Sequence, residues 1–177
     1  MNANKILIRM NLIYFHINSL IETANLYLPE EDRRTGGYFT IMDAEKGQII
    51  TVISVGKIPV EKQDKYLTCS VEKAFRLFEH PEHKTSWESR DEANMKYPGA
   101  IRGIEAIYSF SGHLGDVDEG ISTTGFYLME PMGKKALPDK EAKKYFEYYY
   151  EEVAKRNRFI QPLLLKSTSL SRNNWIK

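Results

Sequence analysis

Tyr38-Phe39-Thr40-Ile41-Met42-Asp43-Ala44-Glu45-Lys46-Gly47-Gln48-Ile49-Ile50-Thr51-Val52-Ile53-Ser54-Val55 is the stretch on which the fold turns. Residues 38–42 and 49–55 are two strand-like runs, the second rich in β-branched side chains that suit a pleated surface. The polar connection between them holds Gly47, as a hairpin requires. Gly56 and Pro59 close the second run.

Working outward, residues 12–28 place Leu12, Ile13, Ile17, Leu20, Ile21, Ala24 and Leu28 at helical spacing. Pro29 ends that helix, and residues 30–37 form a loop. On the other side, residues 63–79 form the clearest helix. Leu67, Val71, Ala74, Phe75 and Phe78 make its inward stripe, and Pro81 stops it. Residues 80–98 are a long polar loop, a length that in compact domains often serves function. Residues 104–111 read as a strand. Gly112, Gly115 and the acids Asp116, Asp118 and Glu119 mark a helix start, continued by Val117, Ile121, Thr124 and Leu128. Asp139 caps a further helix through Asn157, with Tyr145, Phe146, Tyr149 and Val153 inward, and the tail brings Leu163, Leu165 and Trp175 to dock. A hairpin and a later strand, flanked by helices that do not alternate strictly with strands, argue for an α+β class: an antiparallel sheet with helices packed on it and an added C-terminal helix.

The totals are consistent with one domain of 177 residues. Hydrophobic residues at 42% supply a core, and 28% charged residues exclude a disordered polyelectrolyte. Cys69 is the only cysteine, so an internal disulfide is excluded and a reducing, cytoplasmic setting is expected. A net charge of +1 makes no global case for nucleic acid. From Glu130 onward eleven Lys and Arg face six Asp and Glu, a net of +5, which leaves −4 for the rest. That asymmetry is read as a solvated helix face with a basic tail. The first 28 residues hold no small-x-small cleavage signal and no membrane-length apolar run, so they read as a mature amphipathic element.

Phe39-Thr40-Ile41-Met42-Asp43-Ala44 with its hairpin strand resembles the first hairpin of the GlcG-like (haem-binding-protein-like) family. The helix of residues 65–78 lies where that family has its small-residue-rich helix, and Phe110-Ser111-Gly112 followed by Asp118-Glu119 looks like its closing strand and helix start. The likeness covers roughly residues 12–128. It implies a profilin-like sheet with helices on its faces, and a small-molecule binding module for haem, which some members bind, or another anionic ligand.

Candidate chemistry is sparse. His113, just before a helix start whose backbone N–H groups favour anions, is the first choice for a site, with Arg102, Tyr108 and the Gly112 turn gathered around a carboxylate or a haem propionate. The ordinary alternative is a surface turn. Trp87 covering a ligand and Arg90 pairing with an anion extend that site; the alternative is a Trp packed to hold the long loop down. His80-Pro81-Glu82-His83 lacks the third and fourth ligands of known zinc signatures and reads as a polar helix exit, so no metal is expected. Six of the eleven glycines fall between 99 and 125, a sign of close backbone approach without the spacing of a phosphate loop. Cys69 reads as a structural thiol. The Tyr145, Tyr148, Tyr149 and Tyr150 cluster, flanked by acids, suits helix packing or a dimer seam better than base stacking. Two functional readings therefore stand together: a binding module for a small anionic ligand, and a non-enzymatic interaction protein acting as a homodimer or on a protein partner. No nucleophile, base and stabiliser assemble from linear spacing into an enzyme.

Overall fold

The computed structural model describes residues 3–130 together with Glu151, Glu152 and Lys155. Its elements run α1 (Ala3–Tyr27), β1 (Gly36–Asp43), β2 (Ile49–Gly56), α2 (Gln63–Glu79), β3 (Ala100–Arg102), β4 (Ala106–Ser111) and α3 (Gly115–Met129). The four strands form one antiparallel sheet in the order β2-β1-β4-β3. The class is α+β, and the hairpin, the first three expected helices and the closing strand are present. Of the expected C-terminal helix, only Glu151, Glu152 and Lys155 fall among the described residues, and all three are helical. The tyrosine cluster and the apolar tail lie outside them.

Strand alternation divides the core in two. Phe39, Ile41, Tyr108 and Phe110 point to one face and pack with Ile13, Ile17 and Ile21 of α1 and Val117, Ile121 and Phe126 of α3. Met42 and Ile107 point to the other face and meet Ala74 and Leu77 of α2. Thr40 also faces α2, where its Oγ1 lies 2.9 Å from Ser70 Oγ.

The structure corrects one sequence expectation, the inward face of α2, and adds two features. Residues 100–102, for which the sequence marks no strand, form β3, a short edge strand paired with β4 through Ala100↔Ser109 and Arg102↔Ile107. The inward face of α2 consists of Ser70, Lys73, Ala74, Arg76 and Leu77, whereas Leu67 and Phe75 are exposed. Small residues let the helix sit close on the sheet, and that closeness outweighs the burial of two larger side chains. The long loop 80–98 is tied down: Arg76 donates from Nη1 to Ser89 O and from Nη2 to Tyr97 O, both at 2.6 Å, and pins it to α2.

Candidate functional site

Lys62, Lys65, Tyr66, Cys69 and Lys73 recur at three- and four-residue spacing, so α2 and the turn before it present them on one side. That side faces a cavity of about 260 Å³ at the end of the sheet where β4 passes into α3. Arg34, from the loop before β1, and Tyr97, from the end of the long loop, complete its rim. Ser111, His113, Gly115 and Asp118 form the opposite wall.

The floor is a buried ion pair. Lys73 is 1% exposed, and its Nζ donates to Asp118 Oδ2 at 2.8 Å and to Phe110 O at 3.0 Å. Asp118 Oδ1 accepts from the His113 backbone N–H at 2.8 Å. Burial pushes the Asp118 carboxyl up to about 6, although Lys73 and the His113 amide both favour its charged form. Gly99 makes this contact possible. Its φ is +133°, and a Cβ there would stand 2.7 Å from both Asp118 Cβ and Lys73 Nζ. Its carbonyl accepts from Phe110 N at 3.0 Å and from Ser122 Oγ at 2.7 Å.

His113 is half-buried in the wall, and burial, with the Arg34 charge adding to it, pushes the imidazole down to about 4. The ring is therefore neutral at pH 7. Its Nδ1 accepts from Leu114 N–H at 3.0 Å, and Nε2 lies 3.4 Å from Asn25 Oδ1. Asn25 Oδ1 is an acceptor here, because Arg34 N–H also donates to it at 3.0 Å. The proton thus sits on Nε2, and neither nitrogen offers a lone pair to a haem iron. His113 does not fit the role of a haem ligand.

The other sequence candidates do not join His113. Arg102 and Tyr108 point to opposite faces of the sheet, since Arg102 opposes Ile107 and Tyr108 opposes Ile101. Tyr108 is buried, and its hydroxyl donates to Glu130 Oε1 at 3.0 Å. That oxygen also accepts from the N–H groups of Glu105 and Ala106, and burial still raises the Glu130 carboxyl. Arg102 caps the far end of α2. It donates to the carbonyls of Leu77, of His80 at 3.3 Å and of His83 at 3.2 Å. Trp87 and Arg90 stack on each other at 4.7 Å in the long loop. Neither lines the cavity.

Sequence reasoning missed Arg34, Lys62, Lys65, Lys73 and Asp118 as a site. A signal was present in the basic i, i+3, i+11 series of Lys62, Lys65 and Lys73. Among the described residues no helix is long and apolar enough to cross a membrane. No protein-family model, no curated protein and no solved structure matches this chain.

Proposed function

We propose that the chain binds a small anionic ligand in the cleft between α2 and the β4–α3 turn. The observation that carries this reading is the charge lining the cavity: among the described residues, Arg34, Lys62, Lys65 and Lys73 against one carboxylate, that of Asp118. The rim cations provide attraction, while the neutral His113 and the paired floor give a wall of fixed polarity. Tyr66 and Tyr97 add apolar surface for a planar group, with Lys65 Nζ 5.9 Å from the Tyr97 ring centre. The volume of about 260 Å³ falls below the roughly 300–1,000 Å³ of pockets that engulf drug-sized ligands, and so favours a compact anion over haem. The GlcG-like likeness supports small-molecule binding in general. The lone cysteine supports a cytoplasmic setting, and the balanced charge supports partners other than nucleic acid.

Native mass spectrometry of the purified chain, followed by calorimetric titration with inorganic pyrophosphate, tests the reading. A retained anion, or saturable binding weakened at least about tenfold in Lys62→Gln/Lys65→Gln, is expected. Binding unchanged in that variant would overturn the assignment of the cleft.

A second reading, self-association, is favoured by a different observation. Leu12, Phe15 and Leu26 share one side of α1 and are exposed, Phe15 by 69%. A dimer in the same native spectrum that dissociates in Phe15→Ser supports it, and a monomer at micromolar concentration removes it.

A further inference from the structure

The turn that follows α2 gathers His80, Glu82 and His83. His80 Nδ1 lies 3.2 Å from Glu82 Oε1, and His83 Nε2 lies 3.5 Å from the same oxygen. The two imidazoles stack at 4.8 Å between ring centres. A tetrahedral zinc with bonds of about 2.0–2.2 Å needs ligand atoms roughly 3.3–3.5 Å apart, the edge of its tetrahedron. The two measured nitrogen–oxygen separations match that edge, and all three ligand atoms lie within 4.8 Å of one another.

The turn is also held in place before any ion arrives. His83 N–H donates to His80 O at 3.0 Å, and one guanidinium, that of Arg102 on β3, binds the carbonyls of both histidines. A single planar fork therefore fixes the backbones of two ligand-bearing residues against the sheet. Proline at position 81 narrows the backbone choices between them. The Glu82 carboxylate is held by its own backbone N–H and lies against the two rings, so a divalent cation would replace the two ring contacts with coordination bonds.

We propose that His80 Nδ1, Glu82 Oε1 and His83 Nε2 form a binding site for zinc or a similar imidazole-preferring divalent cation, with the fourth position left to water. The site is independent of the basic cleft. Imidazole and carboxylate together suit zinc better than calcium or magnesium, which take oxygen ligands. Coordination through Nε2 requires the His83 proton on Nδ1, a buried nitrogen with no hydrogen-bond partner among the described residues, and the Arg102 fork acts as the positioning group behind both histidines.

The test is calorimetric titration of the untagged full chain with zinc sulfate, with imidazole nitrogen spectra recorded in parallel. The expected result is one equivalent bound, with the resonances of His80 Nδ1 and His83 Nε2 shifted and those of His16 and His113 unchanged. His80→Ala and His83→Ala are each expected to weaken binding at least about tenfold, while Cys69→Ser and His113→Ala leave it unchanged. Absence of saturable uptake at micromolar zinc overturns the proposal. So does uptake that survives both histidine variants or disappears in Cys69→Ser. Circular dichroism of the zinc-free variants verifies folding, and His80→Ala, at an exposed position, keeps the test available if His83→Ala unfolds.

Discussion

Buried cations are satisfied in two different ways along helix α2, in its middle and at its C-terminal end. In its middle, Lys73 meets a carboxylate, Asp118, beside an open cleft. At its C-terminal end, the guanidiniums of Arg76 and of Arg102 from β3 meet backbone carbonyls and close the chain around themselves, and the carboxylate beside Arg76, Glu72 at 2.9 Å from Arg76 Nε, is partly exposed. Carbonyls turned toward a cation still find water when the cation is removed. A fully buried carboxylate does not. The first arrangement stores an electrostatic demand beside a cavity, as a binding site requires, and the second serves as mechanical bracing.

Removing one member of each arrangement separates them. Lys73→Met leaves Asp118 buried without its partner and is expected to cost about 3–5 kcal/mol in urea unfolding. Lys73→Met/Asp118→Leu is expected to recover most of that loss. A single-variant cost under about 1 kcal/mol would show that the pair is not the latch between α2 and α3. Arg102→Met removes bonds to three neutral carbonyls rather than to a buried charge, and about 2 kcal/mol is expected. If Arg102→Met proves the costlier of the two, the contrast between the middle and the C-terminal end of α2 fails.

Gly99→Ala probes the same latch through the backbone. The new methyl meets both Lys73 and Asp118 at a φ that alanine disfavours, and a loss of about 1–3 kcal/mol is expected. Repeating the substitution in Lys73→Met/Asp118→Leu separates strain from crowding by the pair.

The cleft also has a pH signature built from opposing parts. His113 is pushed down to about 4 from an ordinary 6.5, so its contribution to stability is present above pH 6.5 and is lost as pH falls through 4. Asp118 is pushed up from 3.8 to about 6, so its contribution is full below pH 3.8 and is lost as pH rises through 6. Glu130, also raised, has the sign of Asp118. The windows overlap, and the wild-type chain is expected to show little net slope from these groups between pH 4 and 6.5. His113→Gln is expected to gain stability on acidification across that range, and Asp118→Asn to lose it, each read from urea midpoints at pH 4.5 and 7. Parallel profiles for the two variants would contradict the opposing assignment.

Much of the frame was legible because period-two and period-3.6 patterns report which strands and helices exist. Residues 38–55 gave the hairpin, and Ile13, Ile17, Leu20 and Ile21 gave the inner face of α1. The site was hidden because its parts come from separate elements: Arg34 from a loop, Lys73 from α2, Asp118 from α3 and Gly99 from a turn. Arg102 and Tyr108 looked like neighbours of His113 in the chain, but strand alternation turned them to opposite faces. A buried lysine is invisible to an apolar pattern, which assigns it to solvent.

The rotation of α2 gives the smallest expected effect and the sharpest test of that last point. An apolar stripe through Val71, Ala74, Phe75 and Phe78 would turn Lys73, two residues and about 200° away from Phe75, outward. The structure instead leaves Phe75 40% exposed and buries Leu77 completely. Phe75→Ala is therefore expected to cost less than about 1 kcal/mol, against about 2–5 for Leu77→Ala. The ratio of the two reports the helix's rotation directly. If Phe75→Ala proves as damaging as Leu77→Ala, the helix faces the sheet as the apolar pattern alone suggests, and Lys73 loses its place on the cavity floor. If it is nearly silent, close packing through Ser70 and Ala74 has set the rotation, and with it has carried a lysine into the core to meet Asp118.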